Sequence, residues 1–167
     1  MPEDLDLSDL TPEDAHARAR AALVDPFFWN LADDDSPFGN ETGAELYAAF
    51  RDWREENPHL PPLTLLSEIL VRWEVTDNGW DIVEPDAVLA IGQEDEYGLL
   101  TRDDAILGLA FAQIVLEGRL DRELRRRAVL AVRRQMAPPL LRGWEARMDE
   151  RVARLTRMGE VLSQKWD

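Results

Sequence analysis

The chain has 167 residues, no cysteine, six tryptophans, and 34 acidic against 19 basic side chains, for a net charge of −15. That length suits a single domain, able to bury roughly 70% of the unfolded chain's surface, and the aromatic content argues against wholesale disorder. Lack of cysteine excludes a disulfide framework and any thiolate metal site and favours a reducing compartment, while the negative charge repels nucleic-acid phosphates and anionic membranes.

The opening residues Met1, Pro2, Glu3 and Asp4 have neither the basic start nor the apolar stretch of a secretory signal, so a cytoplasmic location is expected. Residues 1–10 are acidic and weakly patterned and read as a flexible lead-in to one helical domain over 11–167. Thr11, Pro12, Glu13 and Asp14 follow the order of a helix start, which predicts a first helix reaching Val24. Pro26 blocks its continuation, and Phe27, Phe28 and Trp29 are expected to enter the core.

Thr42 and Glu45 have capping-box spacing, and Leu46, Ala49, Phe50 and Trp53 recur at helical intervals, so a helix is expected there, ending near Asn57 before Pro58. Pro61 and Pro62 open the next, with Leu63, Leu66, Ile69, Leu70 and Trp73 as its apolar stripe. Around Asn78 and Gly79 the alternation of Val71, Trp73, Val75, Trp80 and Ile82 also fits a short β-hairpin near 71–82. A lone hairpin is marginal in water, which favours a helix followed by a turn.

Pro85 can start a short helix through Ile91, and Thr101 with Asp104 is read as the cap of a stronger one. Residues 105–116 are apolar nearly all round, the pattern of a central buried helix too short to span a bilayer. Gly118 is expected to end it and Asp121 to cap the next helix, which turns Leu124, Ala128, Ala131 and Val132 inward. Beyond Pro138 and Pro139, residues 140–166 read as one helix of about 27 residues, roughly 40 Å long at 1.5 Å per residue. Such a helix either clasps the body or forms the seam of a homodimer, and Gly143 could bend it near its start. The expected fold is therefore all-α, a single-domain bundle of about six helices with a long C-terminal helix.

Several chemistries are excluded by residue type. The nine glycines are scattered, so no phosphate-cradling loop exists, and Lys165, the sole lysine, lies two residues from the end of the chain. No serine carries nucleophile-elbow glycines, and two distant histidines cannot build a structural zinc site. Glu13 and His16 make a single Glu-x-x-His unit where a di-iron bundle needs two.

What remains is carboxylates and guanidinium groups. Asp33, Asp34, Asp35, Glu41 and Glu45 are the densest oxygen donors and the candidate ligands for a divalent cation, the one cofactor this chain would take. On an EF-hand frame starting at Asp34, Gly39 and Glu45 take the sixth and twelfth places, but Phe38 stands where an oxygen ligand belongs. Residues 1–104 carry 26 acidic and 6 basic groups, and the remainder 8 and 13, so the two parts differ in sign. Arg122, Arg125, Arg126 and Arg133 cluster on one side of their helix, with Arg127 and Arg134 on the other flank of the apolar stripe. Such an array pairs with the acidic half of the chain or binds a carboxylate-rich or phosphate partner.

The stretch Pro37-Phe38-Gly39-Asn40-Glu41, continuing to Leu46, resembles the Phe-x-Asn-Asp/Glu signature that opens some bacterial families of small acidic helical proteins of unknown function. Residues 116–121 are similar to a helix junction of tellurite-resistance-type helical proteins, although that family's metal-binding acids have no counterparts here. Both resemblances imply a helical fold and no assignable activity. The leading expectation is a non-enzymatic, cytoplasmic interaction or accessory protein of the immunity or antitoxin kind, binding another protein through an acidic face. The alternative is a divalent-cation-dependent enzyme or sensor built on residues 33–45.

Overall fold

A computed structural model describes residues 5–167. It is all-helical, with no strand among the described residues. The helices are α1 (Ala17–Ala22), α2 (Glu41–Glu56), α3 (Pro62–Arg72), α4 (Pro85–Glu117), α5 (Arg122–Gln135), the single turn α6 (Pro138–Leu141) and α7 (Met148–Leu162). Short 3-10 segments lie at Pro26–Trp29 and Arg142–Arg147.

The centre of the bundle is α4. From Ala105 to Val115 every side of this helix is buried, and α1, α2, α3, α5 and α6 all pack against it, while α7 lies on α5. A helix apolar all round can be stable in water only when neighbours cover every face. The aromatic segment behaves as expected: Phe28 is fully buried against Phe111, ring centroids 5.6 Å apart, and the Trp29 Nε1–H donates to the Leu23 carbonyl at 2.8 Å. Among the described residues no helix is long and apolar enough to cross a membrane.

Three helix starts depart from the sequence expectation, while the stops at Asn57 and Gly118 and the cap at Asp121 fall where expected. The first helix begins at Ala17, because the His16 amide donates to the Val115 carbonyl of α4 (2.9 Å) and His16 Nδ1 caps the new helix by accepting from the Arg18 amide. The Thr11 hydroxyl caps only a turn, accepting from the Asp14 amide. In α2 the cap is Asn40, whose Oδ1 accepts from the Gly43 amide at 2.7 Å, two residues ahead of the expected Thr42. The central helix does not start at Thr101. It runs unbroken from Asp95, where the backbone turns extended (φ −154°, ψ 77°) and the carboxylate accepts from the Gly98 amide. The expected short helix at Pro85 is thereby joined to it across a kink.

Two expectations fail outright. The hairpin near 71–82 does not form: α3 ends at Arg72 and an irregular connection follows, its carbonyls held by buried arginines instead of a partner strand. Arg134 Nη1 donates to the Trp80 and Ile82 carbonyls (both 2.8 Å), and Arg102 donates to those of Thr76 and Asn78. The long C-terminal helix is also absent. It breaks after α6, and Glu145, with φ 49°, turns the chain within the 3-10 segment that separates α6 from α7, two residues beyond the glycine expected to bend it. At 15 residues, α7 is about 22 Å long. The stripe residues Leu155, Met158 and Leu162 are buried in the chain's own core and do not form an outward seam. Of the acidic lead-in, the described part reaches the body: Leu10 is buried, and Arg51 donates to the Asp6 carbonyl and to Asp9.

Candidate functional site

The acidic loop and the basic C-terminal helix meet. Asp35, with no exposed side-chain surface, accepts from Arg147 Nη2 (3.0 Å) and Arg151 Nη1 (3.3 Å). Asp33 pairs with Arg154, and Asp25 accepts from Arg157 Nε at 3.0 Å. These arginines stand along one face of α7 and its entry, so one helical stripe of guanidinium groups neutralises residues 25–35. Burial works against ionisation of Asp33, but the hydrogen bond from Arg154 prevails and holds its carboxyl below the usual value. Burial is likewise the main influence on Arg151, lowering its proton affinity against the pull of Asp35.

This arrangement redistributes the five candidate metal ligands. Asp33 and Asp35 are engaged by arginine, Asp34 is exposed, and Glu41 and Glu45 lie apart on the first turns of α2. Among the described residues no group of three or more His, Asp or Glu side chains is placed to hold a metal ion. Glu41 and Glu45 instead line an open pocket of about 290 Å³ with Thr42, Trp73, Tyr97 and Thr101. Burial, reinforced by the charge of Glu41, raises the Glu45 carboxyl. Neither Trp73 nor Tyr97 could be assigned to this pocket from the sequence, since Trp73 continues the stripe of α3 and Tyr97 belongs to another helix, α4.

The four arginines singled out on α5 do come together. Arg122, Arg125, Arg126 and Arg133 line a groove of about 650 Å³ with Asp81, Val83, Val129 and Leu130. The amphipathic register of α5 explains it: Leu124, Ala128, Ala131 and Val132 are buried, which turns the other sides of the helix to solvent. Asp121 fixes the start by accepting from the Glu123 and Leu124 amides, as its position ahead of the helix predicts.

The arginines of this helix fall into two groups. Arg127 and Arg134 are consumed inside the protein. Arg127 grips both oxygens of Asp77 at 2.9 Å and lies 4.5 Å from the Trp80 ring, and Arg134 makes a fully buried two-pronged pair with Asp103, which Gln135 completes at 2.6 Å. The groove set is weakly engaged. Arg126 reaches Glu123 at 3.8 Å and sits 5.1 Å from the Trp80 ring, while Arg125 meets the exposed Asp167 at 3.9 Å. Among the described residues Arg122 and Arg133 have no ion-pair partner, and the Arg125 Nε–H is buried without an acceptor.

Fold and groove together define a helical protein that presents an apolar strip edged by guanidinium groups. Comparison with family models, with curated proteins and with solved structures finds no match to this chain.

Proposed function

We propose that the protein is a non-enzymatic docking protein that holds an acidic, amphipathic segment of a partner protein in the α5 groove. The observation that carries this reading is the convergence of Arg122, Arg125, Arg126 and Arg133 around Val83, Val129 and Leu130. Planar guanidinium groups hydrogen-bond carboxylates two at a time, and an apolar strip between them gives the partner's aliphatic side chains a place to desolvate. An isolated anion would have no use for the strip. A chain of net charge −15 that leaves Arg122 and Arg133 without an ion-pair partner among the described residues, in a structure otherwise rich in arginine–carboxylate pairs, supports an external anionic partner. Accessory proteins of the immunity or antitoxin kind would work this way, although through this basic groove and not through an acidic face.

The reading is tested with a fluorescein-labelled helical peptide carrying alternating Glu and Leu on one face, followed by fluorescence polarisation over a salt series. Binding should weaken with salt, and the double variant R122E/R133E should weaken it about tenfold or more, because charges at the rim are both lost and reversed. Those two side chains are exposed, so the variant should keep its fold. Absence of binding to the native protein, or equal binding to the variant, would refute the docking role.

A further inference from the structure

Residues 84–97, the entry to α4, carry Glu84, Asp86, Glu94, Asp95 and Glu96 and no basic residue. Two of these acids are spent locally, Glu84 on the first amides of the helix and Asp95 on the Gly98 amide at the kink. Asp86 and Glu94 are exposed and have no ion-pair partner among the described residues. One side of this segment packs: Val88 is buried in a small cluster with Leu99 and Ala137, and Ile91 and Leu140 lie against them. The other side is bare. Asp86, Leu89, Ala90, Gln93 and Glu94 recur at three- and four-residue intervals, so they share one helical face, and all five are exposed. Leu89, 41% exposed, thus stands between two free carboxylates on a face that nothing in the chain covers. That is the acidic, amphipathic segment the α5 groove calls for, and it begins beside the groove. Asp81 and Val83 line the groove wall, and α4 starts at Pro85. The dimensions agree as well: Asp86 to Glu94 spans about 12 Å of helix, and Arg122 to Arg133 about 16 Å.

Resting on the docking reading above, we infer that the partner segment is the α4 entry of a second copy of this chain, residues 85–94, and that the protein is a reciprocal homodimer. A surface and its complement lying side by side on one chain satisfy each other across a two-fold axis, each copy giving a helix and receiving one, and the association closes at two. Leu89 then lies on the strip of Val83, Val129 and Leu130, while Asp86 and Glu94 meet the guanidinium groups of Arg122 and Arg133 at its ends. Asp81 in the groove wall lessens the positive charge of the four arginines without cancelling it.

The test is sedimentation velocity of the full chain between about 5 and 500 µM, at about 50 mM and about 500 mM NaCl. A dimer should form at low salt, and its Kd should rise about tenfold at high salt. R122E/R133E and D86R/E94R, in which all four replaced side chains are exposed, should each raise the dimer Kd about tenfold or more at low salt. An equimolar mixture of the two variants should dimerise again, because the reversed groove of one faces the reversed helix of the other and the remaining contact keeps its native charges. Such a rescue cannot come from variants that have lost their fold. A native chain that stays monomeric while the Glu/Leu peptide binds would remove the second copy and leave the docking reading standing, whereas failure of both would refute both. A dimer untouched by either variant, assembly that continues past two chains, or no rescue on mixing would each overturn the inference.

Discussion

Asp104 lies where the acidic loop, the central helix and α7 meet, lining a small cavity with Asp34, Asp35, Ser36, Asn40 and Arg151. Burial pushes its carboxyl up to about 7, with help from the charges of Asp103 and Asp34 and against the pull of Arg151. A carboxyl whose proton is held more tightly in the folded state than in the unfolded chain opposes folding once pH rises above its ordinary value. The penalty grows between about pH 4 and pH 7 and is complete above that window. Asp104→Asn should therefore raise Tm at pH 8 by several degrees and leave it unchanged near pH 4, as thermal unfolding at both values would show. Equal effects at the two pH values would mean that folding leaves the proton affinity of Asp104 unchanged. Asp33 acts in the opposite sense: its lowered carboxyl contributes stability near neutrality that is lost as pH falls through its folded-state value.

At the scale of elements, the tightest junction is between α2 and α4. Gly43 and Gly108 face each other there, and a Cβ on Gly108 would stand 2.7 Å from the Gly43 Cα and 3.1 Å from its carbonyl oxygen. Backbone cannot give way as a flexible side chain can, so the helices would have to separate. Gly108→Ala should cost about 1–3 kcal/mol, the usual penalty of overpacking, despite the better helix propensity of alanine. Urea denaturation followed by circular dichroism measures it, and a variant as stable as the native chain would disprove the close crossing. Glycine has a different task at Gly118, which ends α4 at φ +64° with His16 directly against it. The sequence identifies Gly118 as a stop because glycine favours that conformation by itself. It gives no such hint for Gly108, whose need for a missing side chain arises from another helix. Likewise Asp121 could be recognised as a cap from its neighbours, whereas the start of α1 could not, since a carbonyl of Val115 almost a hundred residues away redirects the His16 amide.

Across the whole molecule, α1 is fastened to the C-terminal residues. Trp166 is 2% exposed, its Nε1–H donates to the Val161 carbonyl at 2.8 Å, and Arg18 of α1 lies 5.5 Å from its ring while bonding to the Lys165 and Trp166 carbonyls. Trp166→Ala should lower stability by about 3–5 kcal/mol through lost burial and the cavity left behind. Thermal unfolding would register this as a large drop in Tm, and a change below about 1 kcal/mol would show that the C-terminus does not belong to the core. The same scale settles how the opposed charges are used. Along the sequence they appear as an acidic part and a basic part; in three dimensions arginines of α7 and its entry pair with Asp25, Asp33 and Asp35, Arg127 and Arg134 of α5 pair with Asp77 and Asp103, and in the groove Arg122 and Arg133 face outward without an ion-pair partner among the described residues.

By itself the sequence determined what depends on near neighbours along the chain: the helical class, from apolar periodicity; the central place of residues 105–116, from a segment apolar on every side; and the clustering of four arginines on one side of α5, from 3.6-residue spacing. Tertiary structure alone decided the partner of each charge, the break at Glu145, the kink at Asp95 and the separation of Glu41 and Glu45 from Asp33 and Asp35. The reason is physical. A local pattern fixes which face of a helix is greasy and which is charged, but the energy of a charge depends on what is brought within a few ångströms of it, and that is set by residues distant along the chain.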